Sequence, residues 1–355
     1  RPGIMIPHSR PETDGAAEDA VAEALRARRL GQGPETEALE RQLEDRFPRR
    51  RAVAVSSGTA ALYLALAVVA RRPEGEVLMP SFTCHSLYAA AHHAALRPVC
   101  VDLPPSGVVP QAEAVASRIS DRTCAVILPH TCGFVAPVEA LAERGLPVIE
   151  DCAQSLGGAL PGGRPMGMAG SFAVLSFYAT KLAPGGEGGA VLVNDEGCAQ
   201  ELRRLRDCDK GEPDPRAFNF KMSDLHAALA RRSLDTLETR RQRRESLADR
   251  YDEAAGPLSL RRRMSGTAAP QAICFRYLLD CGERAREAED FFQRREIVVR
   301  RPVRRPVHRA TGDSCPRTEE AFERYLSIPL YAALTDGEAD FTGRTICDAR
   351  KELQL

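Results

Sequence analysis

Residues 52–62 read Ala52-Val53-Ala54-Val55-Ser56-Ser57-Gly58-Thr59-Ala60-Ala61-Leu62. A short apolar run gives way to a small, hydroxyl-rich turn, and an alanine-rich helical stretch follows as far as Ala70. The same alternation recurs downstream, with residues 76–80, 98–102, 124–128, 147–151, 171–177 and 189–193 as further strands and 84–96 as a helix. Strands that are apolar throughout, rather than at every second residue, are buried on both faces. Strands alternating with helices build a sheet covered by helical layers. We therefore expect an α/β fold, with a three-layer α/β/α large domain around a mostly parallel sheet. In such sheets ligands bind beyond the carboxyl ends of the strands, which is where Ser57, Asp151 and Lys181 fall.

Working outward, residues 12–30 carry Ala17, Ala20, Val21, Ala24 and Leu25 on one helical face, and Gly31-Gln32-Gly33-Pro34 ends that helix. Residues 35–47 predict a second helix, with Leu39, Leu43 and Phe47 at four-residue spacing. After residue 222 the pattern changes: 223–254 predicts one long Arg-rich helix, and strands at 271–280 and 296–303 flank a helix at 283–295. We expect a large domain over 1–240 and a smaller α+β domain over 241–355.

The 355 residues include 49 basic and 49 acidic side chains, so no global charge favours nucleic acid or an anionic membrane. No run approaches the ~18 apolar residues that span a bilayer, and residues 1–10 lack the apolar stretch of a secretory leader. The eleven cysteines are scattered with no CxxC pair, which points to reduced thiols in a cytoplasm. Aromatic residues are 5% with no Trp, which argues against stacking platforms for single-stranded nucleic acid. Lysine occurs only at 181, 210, 221 and 351, so few side chains can supply a primary amine.

Three strand ends carry chemistry. At Ser57-Gly58-Thr59 the free N–H groups and dipole of a starting helix form an anion site, although an ordinary helix cap uses the same residues. Asp151 ends an apolar strand, where a carboxylate can hold a metal, act as a base, or pair with a protonated ring nitrogen; a salt bridge or helix cap is the plainer alternative. Lys181 follows the strand at Ser176-Phe177 and precedes Gly185-Gly186-Glu187-Gly188-Gly189. A lysine among apolar neighbours has a lowered pKa and can form a Schiff base, whereas an exposed one merely snorkels. Pyridoxal phosphate is the one cofactor that asks for all three: an amine, an anion site and an acid facing its pyridinium nitrogen. No P-loop occurs, and His92-His93 with Cys84 or Cys100 fits no standard zinc spacing. The arginines within 294–309 suit a solvated face, or a phosphate-bearing substrate.

Six segments in order resemble the DegT-type family of sugar aminotransferases, of pyridoxal-phosphate fold type I: Ser57–Leu62, Pro80-Ser81-Phe82-Thr83, Glu150–Ser155, Ser176–Lys181, Gly186–Gly189 and Asn219–Asp224. Ser327-Ile328-Pro329-Leu330-Tyr331 resembles the family's ending. The resemblance implies a homodimeric enzyme that moves an amino group from an amino acid, glutamate by expectation, to a keto sugar, expected to be nucleotide-linked. A keto cyclitol is the rival substrate; a sugar dehydratase and a non-catalytic regulatory relative are the other readings, and the family's dehydratases carry His where Lys181 stands. Lys181 would form the Schiff base and move protons, Asp151 would pair with the pyridinium, and Gln154 would lie against the ring. Gly58, Thr59 and Ser176 would hold the phosphate, and Asn219 would reach the phosphate of the neighbouring protomer. Cys84 and His85 stand where the family often has an aromatic stacked on the ring. Lys221 and Leu182 replace a usual Arg and Asn, and the role of His130 is left open.

Overall fold

The computed structural model describes residues 5–48, 50–70 and 74–355. The chain opens with α1 (Gly15–Arg26), α2 (Pro34–Arg46), β1 (Arg51–Val55) and α3 (Gly58–Val69). Then come β2 (Glu76–Pro80), α4 (His85–His93), β3 (Arg97–Val101), α5 (Ala112–Ala116), β4 (Thr123–Pro129), α6 (Val138–Ala142) and β5 (Val148–Asp151). β6 (Phe172–Ser176), β7 (Gly189–Val193) and α7 (Glu196–Leu205) finish the large sheet and its cover. The strands lie in the order β1-β7-β6-β5-β4-β2-β3. β7 runs antiparallel to both β1 and β6, and the other neighbours are parallel.

Both faces of this sheet are covered, which is why its strands are apolar without alternation. Val53, Val55, Met79, Ile127, Ile149 and Val174 pack toward α3, α4 and α7. Ala52, Ala54, Ala173, Leu175 and Leu192 pack on the other side against α2 and α8 (Asp224–Asp235). The N-terminus of α2 is capped from far along the chain. The fully buried Asp224 carboxylate accepts from the N–H groups of Gly33 at 2.8 Å and Thr36 at 3.0 Å, and from the Thr36 hydroxyl at 2.8 Å. With the Glu35 N–H at 3.3 Å, three backbone donors at that end are thereby satisfied by one side chain.

The rest of the chain comprises α9 (Leu237–Ala255), α10 (Leu260–Met264), β8 (Tyr277–Asp280), α11 (Ala285–Gln293), α12 (His308–Thr311), α13 (Pro316–Arg324), β9 (Tyr325–Ile328) and α14 (Asp336–Glu352). β8 and β9 form an antiparallel pair. Tyr251, Tyr277, Phe291, Phe292, Leu326, Ile328 and Ile346 build a core of their own there, which also takes in Ile6 from the N-terminal segment.

Three sequence expectations change. The single helix expected over 223–254 is two, α8 and α9, broken at Thr236; the Ser233 carbonyl near the break accepts from the Arg240 guanidinium at 3.1 Å. The strand expected over 296–303 is reduced to single bridges, Ile6 with Ile297 and Arg300 with Ser327, and Pro302 has no N–H to extend a ladder. The strand expected over 271–280 starts only at Tyr277, because the N–H groups of Ala272 and Ile273 turn to the Gly133 carbonyl. Among the described residues no helix is long and apolar enough to cross a membrane.

Candidate active site

The carboxyl ends of β1, β4, β5 and β6 converge on one region. β7 makes that convergence close, because its antiparallel run pairs Gly189 with Ser176 and Val55, while Gly188 bridges Ser57. The start of α3 is thus held against the end of β6. A Cβ on Gly58 would lie 2.9 Å from Ser176 Cβ, and one on Gly189 would lie 2.6 Å from the Ser57 carbonyl carbon, so neither position admits a side chain. Ser57 caps α3 by accepting from Ala60 N at 3.1 Å. Exposed Thr59 and half-buried Ser57 line a cleft of about 440 Å³ with Tyr63, His93, Phe218 and Phe220. The N–H groups at the start of α3 lie beside the buried Ser176, and a helix start of this kind can receive a phosphate. A larger recess, about 620 Å³, lies at the amino ends of the strands beside Thr123, Pro147 and Phe172 and holds none of these groups.

Lys181 sits in a tight loop, its N–H donating to Tyr178 O at 2.8 Å and Gly185 N–H closing onto Phe177 O at 2.7 Å. Leu182 and Ala183 are buried in the core beneath it. Its Nζ makes no hydrogen bond or ion pair among the described residues and lies 5.3 Å from the centre of the Phe275 ring. Burial lowers its pKa, and Arg276 adds to that; Cys84, Asp151 and Cys132 work in the opposite direction. The result is an amine held toward its neutral, nucleophilic form. Asp151, buried at the end of β5, accepts from Ala153 N at 2.9 Å. Burial raises its pKa against the Ala153 N–H, Lys181 and His130.

Behind Asp151 is a buried polar knot. Glu150 and His130 are both fully buried. His130 Nδ1 accepts from Ala136 N at 3.0 Å, so its proton is on Nε2, 3.0 Å from Glu150 Oε1. Glu150 also accepts from the N–H groups of Gly167 (2.7 Å), Ala169 (2.9 Å) and Gly170 (3.0 Å). Burial pushes the Glu150 carboxyl up, but His130 and these N–H groups outweigh it, and its pKa ends below the usual value. Glu150, His130 and Cys152 bring three possible ligand atoms together. The oxygens of Glu150 and both ring nitrogens of His130 are already spent on hydrogen bonds, so the cluster reads as a structural support.

The sequence-predicted residues therefore divide. Gly58, Thr59, Ser176, Lys181 and Asp151 surround the strand ends. Gln154 joins two loops there, its Oε1 accepting from Cys132 N at 2.7 Å where Cys132 takes a left-handed φ of 57°. Of the pair at 84–85, exposed Cys84 is an electrostatic neighbour of Lys181. His85 turns its Nε2 to Arg305 O at 3.1 Å. Asn219 is exposed, and its side chain bonds no described residue of its own chain; Phe218 and Phe220 on either side line the cleft. Three of the seven arginines in 294–309 are ion-paired: Arg295 with Glu352, Arg301 with Glu289, Arg309 with Glu319. Sequence reading passed over Phe275, Arg276, Arg244 and His8, which wall the region around Lys181. Only the resemblance of residues 327–331 to a family ending hinted at that wall.

Comparison with solved structures gives the same architecture end to end. TlmJ from Streptoalloteichus hindustanus, an aminotransferase, is 26% identical with a TM-score of 0.88, the match covering 99% of this chain and 100% of that one. The PLP-form of Spr1654 from Streptococcus pneumoniae, described as a putative sugar aminotransferase, is 24% identical with a TM-score of 0.88 over 99% and 100% of the two chains. PseC from Helicobacter pylori, an aminotransferase involved in the biosynthesis of pseudoaminic acid, is 19% identical with a TM-score of 0.89 over 98% and 100%. The sequence pattern of one family matches residues 11–346. On that match the chain belongs to the DegT/DnrJ/EryC1/StrS aminotransferase family, and it is a pyridoxal-phosphate-dependent aminotransferase of fold type I.

Proposed function

We propose that this aminotransferase moves an amino group from an amino acid, glutamate, to a keto sugar linked to a nucleotide. The observation that carries the reading is the pKa-lowered amine of Lys181, close enough to the buried Asp151 for their charges to interact, with the start of α3 packed on Ser176 at the neighbouring strand ends. The sugar acceptor is supported by the likeness to a putative sugar aminotransferase and to an enzyme of pseudoaminic acid biosynthesis.

The residues fit the cofactor. Gly58 leaves open the space beside Ser176 that a Cβ would fill, Lys181 Nζ makes no hydrogen bond among the described residues, and burial raises the pKa of Asp151. Gly58, Thr59 and Ser176 would hold its phosphate, Asp151 its ring nitrogen, Gln154 the ring face or hydroxyl, and Lys181 its aldehyde carbon. When bound, pyridoxal phosphate supplies an electrophilic carbon for the donor nitrogen and an electron sink for the bond that breaks. Lys181 Nζ would serve as the base that takes the proton from the donor Cα and as the acid that gives it back. Burial lowers its pKa from the ordinary lysine value, which favours the neutral amine that such proton transfer needs. Asp151 would hold positive charge on the ring nitrogen, and the Glu150–His130 knot fixes the strand that presents it. Leu182, Ala183 and Phe177, packed beneath the lysine loop, keep water from its base.

We place the enzyme in the cytoplasm as a homodimer, with Asn219 serving the partner's phosphate; the unspent side chain of Asn219 beside the cleft and eleven unbridged cysteines support this. We divide the chain into a cofactor-binding domain over 1–240 and a small domain over 241–355, supported by the separate core around β8 and β9. The test is an assay of purified enzyme with glutamate against a panel of nucleotide-linked keto sugars and keto cyclitols, reading 2-oxoglutarate formation. Turnover of a nucleotide-linked ketone is expected. Turnover of cyclitols alone would overturn the sugar reading, and an amino donor other than glutamate would overturn the donor.

A further inference from the structure

Three cations share one aromatic ring. Lys181 Nζ lies 5.3 Å from the centre of Phe275, and the guanidinium carbons of Arg244 and Arg276 lie 5.8 Å from it. Among the described residues, neither arginine forms an ion pair with a carboxylate. Arg244 is buried and spends Nη1 on the carbonyls of Phe275 at 3.0 Å and Leu330 at 2.9 Å. Arg276 reaches only His8 Nε2, at 3.5 Å, and its own Nε is buried with no partner at all. His8 offers no compensating charge: burial, Arg276 and Arg300 push its imidazole down to about 3, and its Nε2 also sits 2.9 Å from the Ser327 hydroxyl. A half-buried guanidinium with unspent donors, next to two further cations, is a site short of an anion.

That anion is not the cofactor's phosphate. The recess lined by His8, Thr180, Phe275, Arg276 and Ser327 adjoins the one containing Lys181, with Ser9, Thr180 and Arg244 common to both. Neither shares a residue with the cleft at the start of α3. The free oxyanion site thus opens beside the amine, apart from the phosphate cradle. An amino acid whose nitrogen is engaged at the Lys181 position carries its carboxylate one carbon away.

We infer that Arg276 is the receptor for the carboxylate of the amino donor, with Arg244 as a positioning residue that fixes the backbone of Phe275 beside it. This deepens, and rests on, the reading that the donor is an amino acid. A planar guanidinium can take a carboxylate in a two-pronged pair, which a lysine cannot reproduce.

The test uses the holoenzyme and the variants Arg276→Leu and Arg276→Lys. In the first half-reaction with glutamate alone, followed by cofactor absorbance, Arg276→Leu should raise the apparent Kd for glutamate about 10- to 100-fold. The limiting rate should stay within about threefold, and Arg276→Lys should recover part of the affinity. A rise below about threefold, or an equal loss in the limiting rate, overturns the assignment. In the full reaction an acceptor KM that rises while the donor's stays fixed assigns the oxyanion to an acceptor phosphate, and overturns it too. Calorimetric titration with maleate, which has two carboxylates and no amine, separates this inference from the donor reading. Wild-type binding that Arg276→Leu abolishes keeps the carboxylate receptor even if glutamate proves not to be the donor. Unchanged maleate binding in Arg276→Leu removes it whatever the donor.

Discussion

Replacing Glu150 by Gln changes one atom in the interior of the protein, and the geometry sets the cost. Four N–H donors converge on the two carboxylate oxygens: His130 Nε2 and Gly167 N on Oε1, Ala169 N and Gly170 N on Oε2. A carboxamide has only one oxygen. Whichever way it is turned, its NH₂ faces two of these donors, and His130 cannot help by changing tautomer because its Nδ1 already accepts from Ala136. Two buried N–H groups lose their acceptor, at about 1–3 kcal/mol each before relaxation, so we expect Glu150→Gln to lose about 2–4 kcal/mol at pH 7. The sign of the pH dependence follows from the depressed pKa of Glu150. Its contribution is complete above the unfolded value near 4.5 and is lost as pH falls through the lower folded value. Urea unfolding of the cofactor-free proteins, followed by circular dichroism between pH 7 and pH 3, should show a gap that narrows below about pH 4.5. A loss under about 0.5 kcal/mol at pH 7, or a gap that widens on acidification, would refute the argument.

Lys181→Ala should lower aminotransfer by at least about a thousandfold and remove the visible absorbance that borohydride bleaches; wild-type turnover in the variant would end the assignment. Asp151→Asn should lower kcat about 10- to 100-fold. In the cofactor-free form it should be as stable as wild type or up to ~1 kcal/mol more stable at pH 7, because it removes a buried charge that burial disfavours. That gain should fade as pH falls toward 3.8, and a clear loss of stability at pH 7 would contradict the reasoning. Gly58→Val should cost about 1–3 kcal/mol, since its Cβ would lie 2.9 Å from Ser176 Cβ, and should weaken cofactor binding in equilibrium dialysis; unchanged binding would show that the contact between α3 and β6 is not tight.

The sheet was legible because its strands are built around continuous apolar runs, and burial on both faces is the direct cause of such runs. Lys181 was legible because the chain has so few lysines, and this one follows an apolar strand. The far wall of the site was not. His8 meets Ser327 and Arg276 across most of the sequence, and such contacts leave no local periodicity to read. Arg276 itself is one arginine among dozens, distinguished only by what fails to surround it. The break between α8 and α9 was equally hidden, because it coincides with a side-chain hydrogen bond to the Ser233 carbonyl rather than with a proline or glycine. The strand at 296–303 failed for a visible reason that periodicity overlooked, namely Pro302 inside the run. Cys84 and His85 were equivalent as letters, and only the direction of the His85 ring toward Arg305 separates them.

The strand order has a consequence for how the polypeptide is made. β1 precedes the other strands of this sheet in the chain, yet its only partner among the described residues is β7, in a register of Arg51 with Val193. The cap of α2 is likewise Asp224, which emerges later still. Both wait through the synthesis of the parallel strands between them, with Val53 and Val55 unsheltered for seconds at ordinary elongation rates. Nascent chains arrested before residue 189 should therefore be cut readily by protease near residues 51–55, and chains extended beyond residue 224 should resist. Protection of this stretch in the shorter chains would mean that the edge is shielded by something other than its final neighbour.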